Sequence, residues 1–240
     1  MCSILAILNL EGDVAPLRRD AVRLSRLQRH RGPDWSGVYC DTHAVLAHER
    51  LAIVDVLHGA QPLRNAEGTH VLAVNGEIYN HRELRAGLAS PYAFQTDSDC
   101  EIILALYREH GAAFIDRLNG IFAFVLYDAE QNRYVIARDP MGVVPLYTGE
   151  DDAGNAYVAS EMKALVPVCA SIREFPPGHY LDSAESHEPR PYYTPAWRGF
   201  DTVEHGERDP AIIRDALRAA VERQLMSDVP YGVLLSGGLD

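Results

Sequence analysis

Cys2 directly follows the initiator Met1, and a side chain this small normally permits removal of the methionine. That would put a thiol and a free α-amine on one residue. An α-amine with an ordinary pKa of about 8 can take a thiol proton without a histidine, so Cys2 is a candidate nucleophile carrying its own base. Arg50, in His48-Glu49-Arg50-Leu51, offers a planar fork that binds a carboxylate bidentately. Glu77 and Asp99 could together hold an ammonium group, so these three residues match the two charged ends of a free amino acid. Asn75 has an amide donor and Gly76 lets a backbone N–H come close to a ligand; together they would form an oxyanion hole for acyl transfer.

Each residue also has an ordinary structural reading. Cys2 alone reads as a small buried hydrophobe at a strand start, Arg50 as half of a surface ion pair, and Asn75-Gly76 as a tight turn. Asp99 suits a solvated helix N-terminus. Only the set as a whole points to chemistry.

The elements that must position them follow from periodicity. The continuous apolar run at 3–8 predicts a strand buried on both faces, placing Cys2 at its mouth. Leu17, Ala21, Leu24 and Leu27 recur at helical spacing up to the breaker Arg31-Gly32-Pro33-Asp34. Runs at 44–47, 71–74, 122–127, 134–137 and 156–159 read as short strands. A helix over about 98–110 interrupts them, with Ser98 as N-cap, Glu101 completing a capping box, and Ile102, Ile103, Leu106 and Tyr107 on one face. Many strands and few helices predict an α+β fold of stacked antiparallel sheets flanked by helices. Beyond a stretch crowded with prolines, Asp209 can cap and Pro210 start a helix with Ile213, Leu217, Val221 and Leu225 on one face, leading to a buried strand at 233–235.

Composition limits the partners. With 22 Lys+Arg against 34 Asp+Glu the net charge is -12, which argues against nucleic acid or an acidic membrane surface. No run approaches the roughly 18 apolar residues of a membrane span, and Cys2 to Leu10 lacks the flanks of a signal peptide. Cys2, Cys40, Cys100 and Cys169 form no metal or redox pair, which fits a reducing cytoplasm; Cys40, Cys100 and Cys169 read as core residues or inert thiols. The ten histidines have no metal-ligand spacing, so no metal is expected.

Several motifs in order carry a resemblance. Met1-Cys2-Ser3-Ile4, Arg29-His30-Arg31-Gly32-Pro33-Asp34, the run from Ala73 through Asn75-Gly76-Glu77 to Asn80, and Ser160-Glu161-Met162-Lys163-Ala164-Leu165 resemble class II glutamine amidotransferases. The run from Ser227 to Asp240 narrows the resemblance to glutamine-hydrolysing asparagine synthetases, bacterial B type. The resemblance implies a four-layer αββα sandwich of the N-terminal nucleophile type over 1–190, a linker at 191–208, and the start of an α/β ATP pyrophosphatase domain at 209–240. It implies Cys2 as nucleophile toward the glutamine carboxamide, Asn75 and Gly76 at the oxyanion, Arg50 at the substrate α-carboxylate, and Glu77 and Asp99 at its α-amine. The backbone of Leu51, Ala52, Ile53 and Val54 would line the pocket. Whether Arg31 to Asp34 supplies loop rigidity or a substrate contact stays open.

Ser236-Gly237-Gly238 after a strand is an ordinary turn or the start of a pyrophosphate-binding loop. The resemblance favours the latter, with Leu234, Ser236, Gly237, Gly238 and Asp240 at ATP. The glutaminase step needs no cofactor, whereas the synthetase step implied for such enzymes uses Mg-ATP and aspartate, and related bacterial enzymes are homodimers. The sequence stops at Asp240, before the serine and helix expected next, and one helix and strand cannot bury their apolar faces alone. The alternatives are another class II amidotransferase, such as those making glucosamine 6-phosphate or phosphoribosylamine, and a non-catalytic domain that kept the fold.

Overall fold

Alternation along the first strand, β1 (Ser3–Leu8), sets the layers: Ile4, Ala6 and Leu8 enter one core while Leu5 and Ile7 enter another. The computed structural model describes residues 1–11, 13–199, 201 and 209–238. After β1 come α1 (Val14–Arg26), β2 (Trp35–Cys40), β3 (Ala44–Arg50), β4 (Leu63–Arg64), β5 (His70–Ile78), α2 (His81–Ala86) and α3 (Ile102–His110). Then follow β6 (Gly120–Asp128), β7 (Arg133–Arg138), β8 (Tyr147–Glu150), β9 (Ala156–Ala159), β10 (Ser171–Glu174), β11 (His179–Asp182), β12 (Arg190–Pro191) and α4 (Pro210–Arg223).

The strands form two six-stranded antiparallel sheets, ordered β10-β8-β9-β1-β3-β2 and β12-β11-β7-β6-β5-β4. The core between them joins Ile4, Ala6 and Leu46 of the first sheet to Val71, Ala73, Ala123 and Val125 of the second. On the outer face of the first sheet, Leu5, Ile7, Val45 and Ala47 pack against Ala21 and Leu24 of α1. On the outer face of the second, Leu72, Val74, Phe122 and Phe124 pack against Ile103, Leu106 and Tyr107 of α3. Helix, sheet, sheet, helix is the four-layer sandwich the sequence leads one to expect. Two-sided burial explains why its central strands read as continuous apolar runs.

Two expectations fail. Ser98 caps as expected, its side chain accepting from Cys100 N–H, but the turn Asp99–Glu101 is 3-10 and there is no capping box. The Glu101 carboxylate turns instead to the preceding loop, accepting from the N–H groups of Gln95 and Thr96 at 2.7 Å each. Residues 233–235 form no strand: Val233, Leu234 and Leu235 are exposed, with no neighbouring strand among the described residues to take their hydrogen bonds. Helix α4 does form, with Asp209 accepting from Ala211 N–H at 2.8 Å and Pro210 in its first turn. Its Ile213, Leu217 and Val221 stay exposed, as an unpaired amphipathic helix must leave them. No helix among the described residues is long and apolar enough to cross a membrane.

Candidate active site

The inward rows of three strands turn from apolar to chemical at one end of the sheet stack. In β1 the row Leu8, Ala6, Ile4 ends on Cys2; in β3 the row Ala44, Leu46, His48 ends on Arg50; in β5 the row Val71, Ala73 ends on Asn75 and Glu77. Antiparallel pairing of Ser3 with Glu49 sets the Cys2 and Arg50 ends side by side, and β5 faces them from the other sheet. Asp99, in the turn leading into α3, closes the fourth side. These residues line one open pocket, with Met1, Leu51, Ile53, Val54 and Gly76.

The Cys2 thiol touches the turn after β3: Leu51 N–H donates to Sγ at 3.3 Å, and Sγ lies 3.5 Å from the Leu51 carbonyl. Burial pushes the thiol's pKa up from its ordinary value, against the lowering pull of the Leu51 N–H, the chain's N-terminal charge and Arg50. The thiol therefore needs a base. Among the described residues no histidine lines the pocket, and His48, next along the β3 row, has its pKa lowered to about 4 by burial. With Met1 removed, the Cys2 α-amine is the basic group nearest the sulfur.

Asn75 is fully buried, and both polar atoms of its side chain lack any hydrogen-bond partner. A buried amide left unpaired costs about 1–3 kcal/mol, so an Asn held here is suited to a ligand oxygen. Alternation along β5 puts the Gly76 N–H on the edge turned away from β6. On the same edge Val74 N–H donates to Gln61 Oε1 and Ile78 N–H donates to Asp99 Oδ2, at 2.9 and 2.7 Å. Gly76 has φ +151°, and a Cβ there would lie 2.1 Å from the Ile121 carbonyl oxygen. Gly76→Ala is accordingly expected to displace this strand, lowering stability by about 1–3 kcal/mol in denaturant unfolding, with loss of activity.

Three backbone carbonyls orient the buried Arg50 guanidinium: Val54 at 2.9 Å, Asp55 at 2.6 Å and Val56 at 3.2 Å. Opposite it, Glu77 and Asp99 both face the pocket. Burial raises the pKa of each carboxyl, and the Asp99 charge raises Glu77 further, although Ile78 N–H opposes the rise at Asp99. Two partly desolvated carboxyls side by side favour a cation between them. In the ligand-free protein the raised Glu77 pKa means that stability from this group is complete below the ordinary carboxylate pKa and is lost as pH rises through the folded value. Glu77→Gln is thus expected to raise the melting temperature by a few degrees at pH 7 while weakening amino-acid binding about tenfold or more, measured by thermal melting and titration.

The sequence reading misses several residues at the site. Of the stretch expected along the pocket, Leu51, Ile53 and Val54 line it, and the Ala52 N–H donates to Asp34 Oδ2 at 2.9 Å. The 31–34 loop supports the site through backbone contacts. Arg31 Nε donates to the Cys2 carbonyl at 3.0 Å and Asp34 N–H to the Arg50 carbonyl at 3.0 Å, while a Cβ on Gly32 would lie 2.1 Å from Glu49 O. Gln61, a pocket residue not singled out from sequence, pairs both its amide atoms with the backbone of Val74. Cys100 is buried against the site, its thiol 3.5 Å from the Gly76 carbonyl.

Of the residues expected at ATP, Gly237 has φ +73°, Gly238 N–H donates to Ser236 Oγ, Leu234 is exposed, and no strand or helix flanks the turn among the described residues. Asp240 lies outside the described residues. No acidic, histidine or cysteine cluster suited to a metal occurs among the described residues.

Comparison with known proteins agrees with the geometry. A family model described as a glutamine amidotransferase domain matches residues 1–175, and one described as asparagine synthase matches 212–240. Asparagine synthetase B (glutamine-hydrolysing) of Escherichia coli is 59% identical over all of this chain and 43% of its own length. A probable asparagine synthetase (glutamine-hydrolysing) of Schizosaccharomyces pombe is 50% identical over the same shares. The chain thus spans less than half the length of these curated relatives. Among solved structures, the glutamine phosphoribosylpyrophosphate amidotransferase of B. subtilis matches with a TM-score of 0.61 at 24% identity, over 75% of this chain and 47% of that one, a likeness of fold. With a family model covering most of its length, and its pocket built from the inward ends of β1, β3 and β5, the chain belongs to the glutamine amidotransferase family.

Proposed function

We propose that the chain hydrolyses glutamine to glutamate and ammonia through a thioester on Cys2. The observation that carries this is the buried, unpaired Asn75 amide in the same pocket as the Cys2 thiol. Arg50 takes the substrate α-carboxylate, and Glu77 with Asp99 takes its α-ammonium, which leaves the side-chain carboxamide directed at Cys2.

The Cys2 α-amine accepts the thiol proton as sulfur attacks the carboxamide carbon. Asn75 Nδ2 and the Gly76 N–H donate to the developing oxyanion, and the proton held on the α-amine passes to the leaving nitrogen as ammonia departs. The same amine then takes a proton from water, which attacks the thioester carbonyl. Glutamate and the free thiol result, so atoms and protons balance. Arg31, holding the Cys2 carbonyl, keeps the nucleophile's backbone fixed through both steps.

The ammonia, in this reading, amidates aspartate in an ATP-dependent step belonging to the rest of the length that the curated relatives have. Support comes from the asparagine synthase match at 212–240 and from the names of those relatives. ATP with Mg and aspartate would serve that step, in a homodimer of the cytoplasm; the free cysteines suit such a compartment. The test is glutamate and ammonia release from glutamine by protein whose Met1 removal is confirmed by mass. Equimolar release supports the reading, and its absence from folded, Met1-free protein overturns it.

A further inference from the structure

Asp228 belongs to the segment that follows α4, outside residues 1–175, and it closes two hydrogen bonds on the turn beyond β3. Its N–H donates to the Ile53 carbonyl at 3.0 Å, and its Oδ2 accepts from Asp55 N–H at 2.8 Å. One residue therefore brackets Val54 on both sides.

The bracketed stretch is the part of the pocket that has to be held. Ile53 and Val54 line the pocket, and the carbonyls of Val54, Asp55 and Val56 orient Arg50. Asp55 has φ +48°, a left-handed conformation uncommon for a residue with a side chain, so the turn depends on outside contacts to keep its shape. The Asp55 carboxylate anchors one flank, accepting from His58 N–H at 3.1 Å and from Asp97 N–H at 2.9 Å. Asp228 anchors the other.

We infer that Asp228 is a positioning residue for glutamine recognition: from outside the amidotransferase domain it holds the 53–55 turn so that the Arg50 guanidinium meets the substrate α-carboxylate. This rests on the glutaminase reading above. A carboxylate accepting a backbone N–H is a charge-assisted bond. Its loss frees the turn, and the carbonyls that aim Arg50 drift, while Asn75 and Gly76 stay on β5 and Cys2 stays at the mouth of β1. The effect falls on binding and leaves the chemical step alone.

The test uses the full chain as wild type, Asp228→Ala and Asp228→Asn. Asp228→Ala is expected to raise the KM for glutamine about three- to tenfold, the size of one hydrogen bond's net contribution, with kcat within about twofold. Asp228→Asn keeps an acceptor oxygen toward Asp55 N–H and is expected near the wild-type KM. Labelling of Cys2 by iodoacetamide, which has no α-carboxylate, should proceed at the wild-type rate in Asp228→Ala, whereas a glutamine-like electrophile should label more slowly. An unchanged KM in Asp228→Ala beside an active wild type overturns this inference alone. A parallel fall in kcat and in both labelling rates marks a general structural role and overturns it as well. A folded, Met1-free wild type that neither hydrolyses glutamine nor is labelled at Cys2 by the glutamine-like electrophile overturns the glutaminase reading, and this inference with it.

Discussion

Cys2→Ala is expected to abolish glutamine hydrolysis, lowering kcat by about 10⁴-fold or more, because the proposed acyl intermediate forms on this thiol and the other thiol at the pocket, Cys100, is buried with its pKa pushed well up by that burial. The fold should tolerate the change. The thiol's hydrogen-bond contacts are with the backbone of Leu51, so its loss leaves one N–H donor less well satisfied and removes little packing. Glutamine binding should survive, since Arg50, Glu77 and Asp99 are untouched. Ammonia release measured beside glutamine affinity by calorimetry separates the two: turnover vanishes while binding stays within a few-fold. Residual turnover above about one per cent of wild type would mean that another nucleophile, or water directly, does the work.

Asn75→Ala carries the second large effect. Removing one oxyanion donor costs about 10²–10³ in kcat in acyl-transfer enzymes, and the amide here has no structural bond to lose. The KM should change little, because the carboxamide oxygen needs this donor most when it carries negative charge. Stability should hold or rise slightly, since the variant no longer buries an unpaired amide. A melting curve and a kcat measured on the same preparation check both halves. A fall in kcat of less than tenfold, or a marked loss of stability, would place Asn75 in a structural role.

The parts of the molecule legible in its sequence are those buried on both sides. β1, β3, β5, β6, β7 and β9 appear as apolar runs because helices cover the outer faces of both sheets and the inter-sheet core covers the inner ones. The outer strands are not legible. β2 opens on exposed Trp35 and Ser36, β10 is largely exposed, and β4 and β12 have two residues each, so neither hydrophobicity nor length marks them. Glu101 fits a capping box by spacing but bonds to Gln95 and Thr96, because a 3-10 turn replaces the first turn of helix. The run Val233-Leu234-Leu235 has strand composition without a neighbouring strand, and composition alone does not make one.

The site was legible to the extent that side-chain chemistry is local. Cys2, Arg50, Asn75, Glu77 and Asp99 have types that name their tasks, and strand parity aims the first four inward. Gly76 was read as bringing an N–H close to a ligand; that a Cβ there would meet the Ile121 carbonyl is a separate demand for glycine that the sequence did not show. What sequence could not supply is support through backbone contacts between distant segments. Arg31 acts on the Cys2 carbonyl, Asp34 on the Ala52 N–H, and Asp228 on a turn 173 positions away. A residue type says nothing about such partners. Parity along β3 is the one signal that would have singled out His48, and its lowered pKa keeps it neutral, with Nε2–H donating to Val74 O, away from proton transfer.

The central claim is a covalent intermediate on Cys2, and trapping it tests the account most directly. Acid quenching of the protein during turnover of glutamine, followed by mass spectrometry of the N-terminal peptide, should find Met1 absent and one glutamyl group on Cys2, with none in Cys2→Ala. Folded, Met1-free protein that turns over glutamine yet shows no glutamyl group at Cys2, or carries it on another residue, would contradict the account.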